Sequence, residues 1–80
     1  MVFSRSNLFP HLTVLQNLTL APMKVLGMSR EEAEEEAEQM LDKVGIWSVK
    51  DSYPDCLSSG QRQRAAIARS LMMKPEILLL

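Results

Sequence analysis

The sequence predicts a mostly α fold, with about three helices packed on one small core and a short strand piece at each end of the chain. The main evidence is a pattern that occurs three times, a Ser or Thr followed three residues later by Gln or Glu. This spacing forms a capping box, in which two side chains satisfy backbone N–H groups at a helix N-terminus. An apolar or alanine-rich pattern of helical period follows each pair: Thr13 with Gln16, Ser29 with Glu32, and Ser58 with Gln61.

The two ends of the chain are short and apolar. Residues 1–3 and 77–80 have the character of buried strands, and the chain ends cut both of them. We therefore expect the chain to be a piece of a larger domain. Residues 4–12 are predicted to be a loop, because Pro10 keeps Phe9 out of the helical region.

The first helix is predicted to begin after the Thr13 cap and to end at Gly27. Pro22 lies inside the pattern, removes one backbone hydrogen bond, and is expected to kink or restart the helix. His11 has no second ligand at metal spacing, which indicates an ordinary loop histidine and no metal site. Apolar residues recur at helical spacing at Val14, Leu15, Leu18, Ala21, Val25 and Leu26.

The second helix is predicted from Arg30 to about residue 44. Six of the ten acidic residues lie between positions 31 and 38. A solvated helix face explains them better than a catalytic carboxylate pair, because no nucleophile or orienting group accompanies them. Gly45 is expected to end the helix, with Ile46 making the accompanying apolar contact. The core-facing stripe is Ala33, Ala37, Met40, Leu41 and Val44.

Residues 46–57 form a connector with room for one helical turn at 47–49. Trp47 and Tyr53, together with Pro54, are expected to fill the gap between helices; the rival interpretation, a stacking platform for a base, lacks a basic groove. The last helix, about residues 60–73, presents Ala65, Ala68, Leu71 and Met72 to the core. Its basic residues form either a solvated face or electrostatic support for a nearby phosphate: Arg62, Arg64, Arg69 and Lys74.

The composition argues against several classes of function. The net charge is −1, which gives no electrostatic basis for general binding to nucleic acid or an anionic membrane. The single cysteine, Cys56, excludes an internal disulfide. No apolar run approaches the roughly 20 residues that span a bilayer. We expect no nucleic-acid partner.

The start of the last helix is the most informative stretch. Residues 58–61, Ser-Ser-Gly-Gln, are a small-residue turn that leads into the helix. Such a start leaves backbone N–H groups unpaired beside the positive end of the helix dipole, which is the chemistry of a phosphate or carboxylate site. Plain capping explains the same spacing. No lysine follows the glycine as a phosphate loop requires, so this turn is not the main cradle of a nucleotide.

The same residues resemble a known family. LSSGQ at 57–61 resembles the LSGGQ signature of ATP-binding cassette (ABC) transporter ATPases, with Ser59 where the family usually has its first glycine. Residues 63–71 are similar to the family's QRVAIARAL, and residues 73–80 to the run into its Walker B strand. Residues 7–14 resemble the segment after the Q-loop. The sequence FPH at 9–11, followed by LAP at 20–22, most resembles the subfamily importing polar amino acids such as glutamine, histidine or arginine.

The resemblance implies a helical subdomain excised from an α/β P-loop ATPase. Its parts would be the Q-loop strand end and loop (1–12), the helical subdomain (13–56), the signature motif and helix (57–74), and the start of the Walker B strand (75–80). The parent would be a cytoplasmic subunit, peripheral on the inner face of the membrane, of a bacterial importer. By this resemblance, two such ATPase subunits would sandwich ATP and Mg. The signature residues of one subunit would face the γ-phosphate held by the other: Ser58, Ser59, Gly60 and Gln61.

The resemblance also assigns positions in the first loop. Ser4 falls where the family has the Q-loop glutamine, which coordinates the metal and senses the γ-phosphate, so that glutamine is replaced here. Phe9 and His11 are candidates for contact with the transmembrane permease subunit. The chain has no Walker A lysine, Walker B acid or switch histidine, so we expect that alone it takes no cofactor and does not hydrolyse ATP.

Two other functions stay open at this point. The chain could be a stand-alone helical protein-interaction module whose signature-like words are accidental. It could instead come from an ABC ATPase outside transport, acting in DNA repair or translation. A flanking sequence with Asp-Glu directly after Leu80, and a phosphate loop before Met1, would favour the ATPase over the module.

Overall fold

A computed structural model describes residues 8–73 of the chain. These residues form three α-helices, α1 (Val14–Val25), α2 (Arg30–Lys43) and α3 (Ser59–Leu71). Short 3₁₀ turns at Trp47–Val49 and Pro54–Cys56 lie in the connector between α2 and α3. The predicted mostly α fold with about three helices is confirmed. The strand pieces expected at both ends lie outside the described residues.

All three predicted capping boxes form. In the first, the Thr13 hydroxyl accepts the Gln16 N–H at 3.2 Å, while the Gln16 side-chain oxygen accepts the Thr13 N–H at 2.9 Å. The boxes at Ser29 and Ser58 have the same reciprocal pairs, with distances of 3.0–3.1 Å. Each α-helix begins at the residue after its cap, so α3 starts at Ser59, one residue earlier than predicted.

The end of α2 follows the prediction for Gly45. This glycine has a φ of 80°, a left-handed conformation that costs glycine little. The Gly45 N–H donates to the Asp42 carbonyl at 3.1 Å, and the Ile46 N–H donates to the Leu41 carbonyl at 2.9 Å. These two bonds are the Schellman pattern, and they turn the buried Ile46 side chain into the core.

Of the two outcomes expected for Pro22, a kink or a restart, the restart does not occur, because α1 continues through Pro22 to Val25. Pro22 has no N–H, so it removes one hydrogen bond near the C-terminal end of α1. Its ring is buried, and its carbonyl accepts the Leu26 N–H at 3.0 Å. Packing and the next turn's hydrogen bond therefore keep the helix continuous.

The core forms where the three described helices meet the connector. Alanines on α2 and α3 let these helices pack closely. Val25 and Leu26, which belong to the apolar pattern predicted for the first helix, are exposed and lie outside the core. Leu71, which was predicted to face the core from the last helix, is only half-buried. The buried apolar cluster contains Val14, Leu18, Ala37, Leu41, Ile46, Leu57, Ala65, Ala68 and Met72.

The connector packs through its backbone more than through its aromatic residues. Carbonyls of Ser52 and Lys50 accept the Val14 and Leu15 N–H groups, each at 2.9 Å, and so satisfy the start of α1. Of the three residues expected to fill the gap between helices, Pro54 is buried, whereas Trp47 and Tyr53 are each 48% exposed. Ile46 and Leu57 are also buried in the connector.

Asn17 is a fully buried polar residue that the sequence patterns did not identify. Its side-chain oxygen accepts the Phe9 N–H at 2.7 Å. Its amide nitrogen lies within 2.9–3.2 Å of the carbonyls of Phe9, Leu12 and Thr13. One side chain of α1 thereby satisfies the backbone of the loop that precedes the helix, as buried polar groups require.

We expect the substitution Asn17→Ala to lower the free energy of unfolding by about 2–3 kcal/mol, because it leaves a partly buried N–H without its acceptor. Urea unfolding followed by far-UV circular dichroism measures the loss. Gln39→Ala is the matched control, since Gln39 is exposed on α2 and its replacement should change stability by less than about 0.5 kcal/mol. Equal effects of the two substitutions would contradict the role given to Asn17.

Candidate functional site

The elbow, defined as residues 58–61, lies on the surface at the start of α3. Ser58, Ser59 and Gly60 are exposed, and Gln61 is half-buried. Ser58 is extended, with ψ at 165°, and the chain turns into the helix directly after it. The Ser58 oxygen accepts the Gln61 N–H at 3.1 Å, which leaves the hydroxyl proton of Ser58 free to be donated.

The elbow presents two backbone N–H groups to solvent. The first intrahelical hydrogen bond of α3 runs from the Arg62 N–H to the Ser58 carbonyl at 2.9 Å. The N–H groups of Ser59 and Gly60 precede it and find no acceptor within residues 8–73. At α1 the corresponding groups are bonded to the connector. The start of α3 is therefore open to an acceptor from outside.

The charges near the elbow favour an anion. The first turn of α2 carries the carboxylates of Glu31 and Glu32, which would repel a phosphate from that helix start. The first turn of α3 carries no acidic residue. The partial positive charge of the α3 N-terminus is thus left uncompensated by the residues of its own first turn. Of these two helix starts, the elbow is the one suited to a negative ligand.

Arg62 and Leu57 fix the elbow to the rest of the domain. The Leu57 side chain is buried in the core directly before the elbow. The Arg62 guanidinium donates to the Leu57 carbonyl at 2.8 Å and to the Pro54 carbonyl at 3.3 Å. Arg62 was predicted only as part of a basic face. Its two bonds span eight and five residues, and no local sequence signal identifies them.

Gly60 is not required by the packing of the described chain. A Cβ added at this position would meet nothing within 4 Å, and the backbone of Gly60 is not in the left-handed region. A glycine inside a helix is less favourable than alanine. Any advantage of glycine here would come from something that approaches the elbow from outside the described residues.

The other predicted site residues lie away from the elbow. Phe9 and His11 are exposed on the loop before α1, with their ring centroids 5.9 Å apart. The Arg69 guanidinium lies 5.0 Å from the Phe9 ring, so this pair borders the C-terminal part of α3. The structure therefore places the two predicted groups at opposite ends of α3. Ser4 lies outside the described residues.

The basic residues of α3 do not form one edge. Arg62 is bonded to the connector carbonyls, Arg64 is exposed, and Arg69 contacts Phe9. Lys74 lies outside the described residues. Within residues 8–73, no group of three or more His, Cys, Asp or Glu side chains is placed to hold a metal ion. No helix in that range combines the length and the apolar character needed to cross a bilayer.

Comparison with known proteins shows the family to which the chain belongs. The profile of the ABC transporter family matches residues 1–80. The chain belongs to this family, which confirms the resemblance drawn from residues 57–80 and 7–14. Membership also removes the alternative of an unrelated helical module with accidental signature-like words.

The similar proteins include ATP-binding proteins of amino-acid transport. The chain is 60% identical to the glutamine transport ATP-binding protein GlnQ of Geobacillus stearothermophilus over 79 residues, which cover 99% of this chain and 33% of that protein. It is 56% identical to the glutamate transport ATP-binding protein GluA of Corynebacterium glutamicum and 53% identical to the arginine transport ATP-binding protein ArtP of Escherichia coli K12, again over 99% of this chain and 33% of each relative. The chain thus spans about a third of the length of these curated relatives.

A solved structure supports the fold. An inward-facing metal-chelate type ABC transporter aligns with a TM-score of 0.68 and 23% sequence identity, over 88% of this chain and 29% of that one. At this identity the match supports the helical arrangement alone. It agrees with the three-helix fold described for residues 8–73.

We expect Ser58→Ala to destabilise the chain by about 1 kcal/mol, because it removes the hydroxyl that caps α3. Ser59→Ala, one residue on, should change stability by less than about 0.5 kcal/mol, since Ser59 is exposed and makes no cap. Urea unfolding of both variants measures the difference. A Ser59 variant as unstable as the Ser58 variant would contradict the assignment of the cap.

Proposed function

We propose that the chain is part of an ATP-hydrolysing subunit of an ABC importer for polar amino acids. In this proposal the elbow contacts the γ-phosphate of ATP that a second ATPase subunit holds. The observation that carries the proposal is the open helix start at Ser59 and Gly60, free of acidic residues and located at the LSSGQ sequence. The amino-acid transport ATP-binding proteins among the relatives support the choice of substrate class.

The elbow has the chemistry for this contact. Two N–H groups and the helix dipole offer positive potential to a phosphate oxygen. The Ser58 hydroxyl accepts from Gln61 and keeps its own proton for donation. Ser59 adds a second hydroxyl where the family usually has glycine. Donors already in place when charge develops on a transferring phosphoryl group stabilise the transition state without reorganisation.

ATP and Mg are the cofactors of the proposed parent protein. The elbow has no lysine to hold a triphosphate, so it acts only when another subunit brings the nucleotide. Ser4 would stand at the Q-loop position, where the family's glutamine serves the metal and the γ-phosphate. A serine there has a shorter reach and one hydroxyl as its only ligand.

The loop before α1 is the part of the chain that we propose for contact with a transmembrane permease subunit. Phe9 and His11 offer an exposed pair of rings to the transmembrane permease subunit. The parent would then be cytoplasmic and peripheral on the inner face of the cell membrane. It would use no nucleic acid, and the net charge of −1 is in keeping with this.

The substitution Gly60→Ala is expected to change the stability of the chain and the ATPase activity in opposite directions. We expect it to stabilise the chain by about 0.5–1 kcal/mol, because alanine favours the helix and its Cβ meets nothing within 4 Å. In a chimera of Geobacillus stearothermophilus GlnQ that carries this chain in place of its matched segment, ATPase activity should fall at least about tenfold, because the methyl group keeps the backbone from the phosphate. Urea unfolding and phosphate release measure the two effects.

Ser59→Gly is the matched control in the same chimera. It restores the residue that the family usually has, so ATPase activity should stay the same or rise. A Gly60→Ala chimera with the full activity of the unmodified chimera would count against the proposed contact.

The chain alone should not bind nucleotide well. Isothermal titration with Mg·ATP is expected to give no dissociation constant below roughly 1 mM, because the elbow supplies only part of a site. Full-length GlnQ of Geobacillus stearothermophilus serves as the positive control. Micromolar binding by the chain would mean that its own residues hold a complete nucleotide site, contrary to the proposal.

A further inference from the structure

Arg62 makes its two hydrogen bonds at the two ends of the short turn that precedes the elbow. This turn is the 3₁₀ segment Pro54–Cys56, and the extended residue Leu57 follows it. The Arg62 Nη1 atom donates to the Leu57 carbonyl at 2.8 Å and to the Pro54 carbonyl at 3.3 Å. Nη1 carries two N–H groups, so both bonds form at once. One guanidinium nitrogen of α3 therefore holds both ends of the turn.

The peptide group between Leu57 and Ser58 is held on both sides. Its oxygen, the Leu57 carbonyl, accepts from Arg62 at 2.8 Å. Its N–H, that of Ser58, donates to the Gln61 side-chain oxygen at 3.0 Å. A peptide group is planar, so two bonds on opposite sides fix the orientation of the whole unit. Both partners are side chains of α3, and the peptide is therefore fixed relative to that helix.

The orientation of this peptide sets the direction of the elbow's donors. These donors are the Ser58 hydroxyl and the Ser59 N–H, and only the φ and ψ angles of Ser58 separate the peptide from the Ser59 N–H. The bond from Gln61 alone would let the peptide tilt about that bond. The bond from Arg62 removes this freedom, and the half-buried position of Arg62 limits the movement of its own side chain.

We propose that Arg62 is a positioning residue for the reaction at the elbow, because its bond to the Leu57 carbonyl sets the direction in which the elbow's donors meet a phosphate. This inference rests on the proposed function, in which the elbow contacts the γ-phosphate. Arg62 acts on the backbone and does not hold the nucleotide. Donors stabilise the charge of a transition state only when they are aligned with it, so the loss of Arg62 lowers turnover and leaves the affinity for ATP unchanged.

Nuclear magnetic resonance of the 80-residue chain tests the positioning without nucleotide. Arg62→Met keeps an unbranched apolar side chain and removes the N–H donors. The amide signals of Ser58, Ser59 and Gly60 should therefore shift. The amide signal of Ala37, which is buried in the middle of α2, should stay in place and so show that the chain is still folded.

Three further variants control this experiment. Arg64→Met makes the same change at an exposed position two residues on, and it should shift the elbow signals less. Arg62→Lys keeps a cationic donor and should also shift them less than Arg62→Met does. Arg62→Gln is a second test variant with a side chain too short to hold both carbonyls. Elbow signals that shift no more in Arg62→Met and Arg62→Gln than in Arg64→Met would overturn the inference.

The kinetics of the GlnQ chimera test the effect on the reaction. Arg62→Met should lower kcat for ATP hydrolysis by about tenfold and change KM for ATP by less than about twofold. Rates are expressed per folded protein, measured by circular dichroism, so that a loss of stability alone does not lower kcat. Lys24→Met, which removes an exposed cation on α1, should leave both constants unchanged. An unchanged kcat in Arg62→Met, with or without a raised KM, would overturn the inference.

The two experiments separate this inference from the proposed function. An unmodified chimera without ATPase activity would count against the proposed function, and the elbow signals would then decide whether Arg62 positions the elbow. An active chimera in which neither kcat nor the elbow signals respond to Arg62→Met would keep the proposed function and remove the role of Arg62.

Discussion

The hydrogen bonds of Asn17 hold the loop before α1 to that helix. A chain of this size has a limited apolar core, so an unsatisfied backbone group inside it would be costly. Asn17 meets this need by bonding to Phe9, Leu12 and Thr13 with both ends of its amide. It sets the path of the chain into α1 and the place of the Phe9 ring. The connector then satisfies the first N–H groups of the same helix.

The start of α3 stands in contrast to the start of α1. Leu57 and Arg62 hold the elbow firmly from the core side, through a buried side chain and two carbonyl contacts. Its N–H groups at Ser59 and Gly60 nevertheless have no acceptor among residues 8–73, and the first turn of α3 carries no acidic residue. A rigid frame around unpaired donors is what a preorganised anion contact needs, because the donors then do not have to move when the ligand arrives.

The two ends of α3 carry different structural features. One end of α3 carries the elbow, and the other end contacts the exposed Phe9 through Arg69. The core residues Ala65 and Ala68 lie between these ends and keep the helix close to α1 and α2. Small side chains at these positions allow α3 to pack closely against its neighbours.

The sequence alone determined the elements that depend on local chemistry. Each capping box fixed a helix start, and Gly45 with Ile46 fixed the end of α2, because these patterns act within a few residues. The LSSGQ motif at 57–61 identified the family and the candidate site, because this motif too lies within a few consecutive residues.

Only the tertiary structure decided the contacts between distant segments. It showed Asn17 as a buried bridge, Arg62 as the anchor of the elbow, and Arg69 against Phe9. It also showed that the side chains of Trp47 and Tyr53 are exposed to solvent, although their apolar character predicted that they would be buried between helices. Residue type and spacing cannot specify such contacts, because they depend on how the helices and the connector approach one another in space and on which polar groups are then left to satisfy.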